Sequence, residues 1–147
     1  MAVESDLTGL LADMREELLP GQYVFISVGD NSAVPGVEVL ASVTEPEGLS
    51  LTIAREQADQ AGLSYDFVAA WIALQVHSAL YAVGLTAAVS SALAEAGVSC
   101  NVIAGYHHDH LLVPFERGQE ALTILPALVD AAAPAPLGRR APVGSAW

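Results

Sequence analysis

Trp71-Ile72-Ala73-Leu74-Gln75-Val76-His77-Ser78-Ala79-Leu80-Tyr81-Ala82-Val83-Gly84-Leu85-Thr86-Ala87-Ala88-Val89 decides the reading of this chain. From Val68 the run alternates: Val68, Ala70, Ile72, Leu74 and Val76 point one way, Trp71, Ala73 and Gln75 the other, which predicts a strand over 68–76. The alternation then breaks. Leu80, Leu85, Val89, Ala92, Leu93 and Ala96 follow at helical spacing, predicting a helix over 80–96 that Gly97 closes. A strand that runs through a glycine-containing loop into a helix is half of an open-faced α/β unit.

The chain continues in the same style downstream. Residues 98–106 read as a strand with Val98, Cys100, Val102 and Ala104 on one face and Asn101 on the other. Residues 110–114 read as a second strand, ended by Pro114. Leu122, Leu125, Leu128 and Val129 form the stripe of a last helix over 115–132. Upstream, Leu7, Leu10, Leu11, Met14 and Leu18 predict an amphipathic helix over 5–18, capped by Ser5 or Asp6 and stopped by Pro20-Gly21. Residues 22–28, 37–44 and 49–54 read as strands, with Glu45-Pro46-Glu47-Gly48 as a hairpin connection. Residues 29–36 are all turn chemistry. A short helix over 55–61 ends at Gly62.

Each half therefore combines two helices with three strands. The fold class expected is α+β: two ferredoxin-like modules, 1–64 and 65–132, with antiparallel sheets and helices packed on one face. A module of roughly 60 residues is marginal alone, so two that share burial fit the length of 147. Residues 133–147 break every period and read as a disordered tail.

Composition excludes several functions. Seventeen acidic and five basic residues give a net charge of −12. Such a chain repels phosphate backbones and anionic membranes, so neither nucleic acid nor membrane is an expected partner. Lysine is absent, which removes Schiff-base chemistry and a phosphate-loop lysine. One cysteine, Cys100, permits no internal disulfide and reads as a small apolar strand residue. The N-terminal residues lack a basic region and an apolar run, and a cytoplasmic location follows as the expectation.

Certain segments carry a resemblance. The run from Trp71 to Val89, Ala96-Gly97-Val98-Ser99-Cys100-Asn101-Val102, and Tyr106-His107-His108-Asp109-His110-Leu111-Leu112-Val113-Pro114 resemble an ACT module. Pro20-Gly21-Gln22-Tyr23-Val24-Phe25, Glu47-Gly48-Leu49-Ser50-Leu51-Thr52 and the segment from Arg55 to Leu63 fit in the first half. Over about residues 5–132 the chain is similar to short bacterial two-module ACT-domain proteins, relatives of the regulatory part of aspartate kinases. The resemblance implies regulation or sensing, with a small molecule, chiefly an amino acid, bound where paired modules meet, and association as a homodimer. It implies that the loop residues His77, Ser78, Val83, Gly84 and Leu85 line the ligand site and that Asn101 faces it. The unpaired N–H groups of a helix start can receive a carboxylate, and an amide both donates and accepts. Against this stands a packing role for Gly84 and an interface bond for Asn101. A ligand-free interaction module that dimerises is the alternative function.

Other constellations point elsewhere with less force. His107-His108-Asp109-His110 has metal-ligating types, but strand alternation splits them, and a turn is the expected role. No metal, cofactor or catalytic residue is expected. There is no Gly-x-Ser-x-Gly elbow to make a hydrolytic set with His77. Arg55 is expected to pair on the surface with Glu56 or Asp59, with an anionic ligand as the other use.

Overall fold

The computed structural model describes residues 7–29, 34–76, 80 and 83–128. The tail 133–147 and the site candidates His77 and Ser78 lie outside the described residues. The elements run in order α1 Leu7–Asp13, β1 Arg15–Leu18, β2 Tyr23–Val28, β3 Ala41–Glu45, β4 Gly48–Ala54, α2 Arg55–Gln60, β5 Val68–Gln75, α3 Leu85–Glu95, β6 Asn101–Ala104, β7 Asp109–Pro114, a 3-10 turn Phe115–Arg117 and α4 Gly118–Ile124.

All described strands join one antiparallel sheet in the order β3-β4-β2-β5-β7-β6, with β1 also on β5. β1 and β2 share one edge of β5. β1 pairs Arg15 with Gln75 and Leu18 with Ile72, whereas β2 pairs Tyr23 with Ala69 and Val24 with Val68. Pro20 and Gly21 interrupt the chain between them, and Leu19 N–H donates to Trp71 O at 2.9 Å. The proline cannot donate to a ladder, and Gly21 sits at φ +98°, open to glycine and costly for other residues.

The helices cover one face. Val24, Ile26, Leu51 and Ile53 pack with Ala58 of α2. Register places Val24 opposite Val68, hence on the same face as Ala70, Ile72 and Leu74. Those three, with Leu111 and Val113 of β7, form the larger core with α1, α3 and α4. Leu10, Leu11 and Met14 belong to this core, beside Leu85, Val89, Leu93 and Leu125. The first described helix thus packs with the second half of the chain. The other face carries Ala69, Trp71 and Leu112 with Leu19, Tyr23, Phe25, Phe67 and Ile103, and no described helix.

The structure corrects several element boundaries. The helix expected over 5–18 ends at Asp13, and residues 15–18 are a strand, because the β5 edge supplies their backbone partners. Leu18 reaches the same core from a strand that it would have reached from a helix. Leu80, expected inward, is 70% exposed, and α3 is described from Leu85. The strand expected over 98–106 covers only 101–104, with Val98 buried just ahead of it. The last helix opens with a 3-10 turn after Pro114. Strand β5 is buried on both faces.

Candidate functional site

The start of α3 is built around Gly84. Its φ is +100°, a left-handed conformation that leaves the helix with no side-chain cap. The first intrahelical bond, Ala88 N–H to Gly84 O at 2.9 Å, leaves the amides of Leu85, Thr86 and Ala87 ahead of the ladder. A Cβ on Gly84 would lie 3.4 Å from the side chain of Leu7, so α1 walls one side of this position. Leu85 is buried in the core and Val83 is 82% exposed.

Asp109 lies close by. Register pairs it with Leu74, which places it on the helix-covered face, and it lines a crevice with Leu85, Thr86, Val89 and Val102. The crevice is too narrow to hold a water molecule. Burial pushes the Asp109 carboxyl up from its ordinary value, partly offset by His110.

Asn101 opens β6 and is exposed. It pairs with Leu112, so it stands on the helix-free face. The structure therefore brings Gly84 and Leu85 together, leaves Val83 in solvent beside them, and sets Asn101 on the opposite side of the same sheet. Among the described strands, β6 has β7 as its one neighbour, so its outer edge is unpaired.

The histidine cluster is divided. His107 and His108 are exposed in the β6–β7 turn, with rings 6.3 Å apart. His110 faces away from Asp109 and accepts a hydrogen bond from Trp71. Among the described residues no group of three or more His, Cys, Asp or Glu could hold a metal ion. Cys100 is half-buried against the larger core, and burial raises its thiol pKa. No described helix is long and apolar enough to cross a membrane.

Arg55, expected to pair on the surface or to reach an anionic ligand, stands apart from the residues around the start of α3. Arg55 meets Asp59 at 3.9 Å, as expected, but it also lines a cavity of about 620 Å³ over Pro20 and Gly21. Its parts come from distant stretches of chain, which no local spacing announces.

Comparison with known families gives two matches, each to an ACT domain, over residues 2–70 and 67–127. A Vibrio cholerae protein of unknown function and possible transport role is 47% identical, with a TM-score of 0.75 over 84% of this chain and 95% of that one. The chain belongs to the ACT-domain family. ACT modules are regulatory, and two of them make up this chain. An Agrobacterium tumefaciens protein shares the ACT fold at 19% identity, with a TM-score of 0.61 over 79% of this chain and 89% of that chain. So does the regulatory subunit of aspartate kinase from Thermus thermophilus in its ligand-free form, at 14% identity, with a TM-score of 0.56 over 82% of this chain and 97% of that one. No curated protein matches the sequence.

Proposed function

We propose that this chain is a non-catalytic sensor or regulatory protein of the ACT type that binds an amino acid, in the cytoplasm and as a homodimer. The ligand would rest at the start of α3, on the loop bearing His77, Ser78, Val83, Gly84 and Leu85, with Asn101 supplied across a seam between copies. The observation that carries the reading is the left-handed Gly84 with no side-chain cap, which leaves bare amides for a carboxylate. The crevice behind Leu85 is closed, so the ligand would sit on the outer rim of the helix start rather than beneath it. The edge of β6 that no described strand covers, with Asn101 exposed on it, supports a contribution from a second copy.

Thermal denaturation in the presence of each common amino acid at millimolar concentration tests this. A ligand that binds only the folded state, at a hundredfold excess over Kd, adds about 2.7 kcal/mol and raises the melting midpoint. At least one amino acid is expected to do so. A midpoint unmoved by all of them contradicts the proposal.

The second reading, an interaction module that dimerises without ligand, draws on the helix-free sheet face with Trp71, Tyr23, Phe25 and Phe67. It predicts a dimer whose dissociation constant is the same with and without amino acids.

A further inference from the structure

Pro20 and Gly21 border two neighbouring cavities, one of about 620 Å³ that reaches Arg55 and one of about 270 Å³ that reaches Phe115. They adjoin at Pro20-Gly21, one polar and one apolar, and taken together as a groove they fall within the size range of small-molecule sites. None of its lining residues is shared with the crevice at the start of α3.

At the polar end Arg55 is fixed from several sides. Its Nε donates to Tyr65 Oη at 2.8 Å and its Nη1 donates to Gln22 Oε1 at 2.7 Å. The guanidinium carbon lies 5.6 Å from the centre of the Tyr65 ring. The Tyr65 hydroxyl in turn donates to Asp59 Oδ1 at 2.6 Å, so the tyrosine oxygen is left to accept from Arg55. These bonds do not use Nη2, whose two hydrogens have no acceptor among the described residues. A guanidinium held in this way loses little freedom when a carboxylate docks on it.

Glu56 stands on the same rim, exposed, with a long 3.5 Å contact from the Gln60 amide as its described hydrogen bond. Its carboxylate is available to an ammonium group. The sum of charges selects the ligand class. Arg55 is outnumbered by Glu56 and Asp59, in a chain of net charge −12, so a phosphate or other multiply charged anion meets a repulsive rim. A zwitterion satisfies both signs.

The apolar end supplies the rest. Leu18, Leu19 and Phe115 line it, and Phe115 is 43% exposed, a large ring left to solvent at the mouth of a concavity.

We propose that this groove binds a free α-amino acid with a large apolar side chain. The carboxylate lies on Arg55, the ammonium on Glu56, and the side chain crosses Pro20-Gly21 onto Phe115. The site is separate from the one proposed at α3 and stands without it.

Calorimetric titration with leucine, methionine and phenylalanine, against glycine and aspartate, reads the selectivity. N-acetyl-leucine lacks the ammonium and leucinamide lacks the carboxylate, so each tests one charge. Arg55→Gln removes the carboxylate partner but also two internal bonds. Glu56→Gln and Phe115→Ser, both at exposed positions, are therefore the deciding variants. Saturable binding of an apolar amino acid that weakens at least tenfold in Glu56→Gln and in Phe115→Ser, and with both blocked analogues, is the expected result. Binding unchanged in those variants but lost in Gly84→Ala places the ligand at α3 and overturns the groove while leaving the α3 site intact. Preference for glycine or aspartate overturns the apolar end, and no binding of any amino acid overturns both sites.

Discussion

Trp71 and His110 face each other across β5 and β7, and the indole Nε1–H donates to His110 Nδ1 at 3.0 Å. The rings meet edge to face with centres 5.5 Å apart, and Tyr23 meets Trp71 the same way at 5.1 Å. An acceptor at Nδ1 requires a neutral imidazole with its proton on Nε2. The helix-free face of the sheet is therefore organised around a histidine that must stay uncharged.

The consequence is a pH dependence with a definite sign. Burial, then the charge of His108, lowers the His110 pKa below its ordinary 6.5, and Asp109 acts weakly in the other direction. A folded-state pKa below the unfolded one means that the contribution is present above pH 6.5 and lost as pH falls through the folded value. Melting midpoints measured downward from pH 7 should decline in this window, with a change in Trp71 fluorescence read in a Trp147→Phe background. His110→Gln, which keeps an acceptor but does not titrate, should flatten both.

Asp109 shows the opposite sign. Its carboxyl pKa is raised by burial above the ordinary 3.8, so its contribution is full below that pH and lost as pH rises through the folded value. At neutral pH the half-buried charge is a cost. Asp109→Asn should raise stability at pH 7 by less than about 1 kcal/mol, given the group's contact with solvent. Urea titrations should show the gain disappearing below pH 3.8.

Leu10 tests how the two halves are interleaved. It is 1% exposed and belongs to the core of β5, α3 and β7, although it lies near the start of the chain. Leu10→Ala should cost about 2–5 kcal/mol. Hydrogen exchange under native conditions should quicken in β5 and α3 before it does in the β3–β4 hairpin.

Gly118 sets the distance between α4 and the sheet. A Cβ there would come within 2.9 Å of the Ala70 Cβ. Gly118→Ala should cost about 1–3 kcal/mol through overpacking. In chemical denaturation the pair Gly118→Ala with Ala70→Gly should lose less than the sum of the single losses, since the second change removes the clashing carbon.

Much of this architecture was legible in the sequence because burial leaves a period. The alternation from Val68 to Val76 located β5, and Gly62 and Gly97, both at positive φ, ended α2 and α3 where expected. Periodicity misleads where one spacing serves two structures. Leu7, Leu10, Leu11, Met14 and Leu18 fit a single helical stripe, yet Leu18 arrives at the core from a strand fixed by the edge of β5. Leu80 fitted the stripe of α3 and is exposed. Gly84 falls inside the helix that the spacing predicts over 80–96, yet it stands just ahead of α3 in a left-handed conformation that only a residue without Cβ takes at little cost. The groove at Arg55 was not legible. Arg55 alone stood out in the sequence; Gln22 and Tyr65 reach it, and Phe115 borders the adjoining cavity, through long-range pairing that leaves no local signature.

The most direct measurement of the central claim is a titration of isotope-labelled protein with individual amino acids, following backbone amide resonances. For at least one amino acid the amides of Leu85, Thr86 and Ala87 should shift saturably at millimolar ligand, and Gly84→Ala should abolish those shifts. Resonances at the start of α3 that stay in place with every amino acid would contradict it.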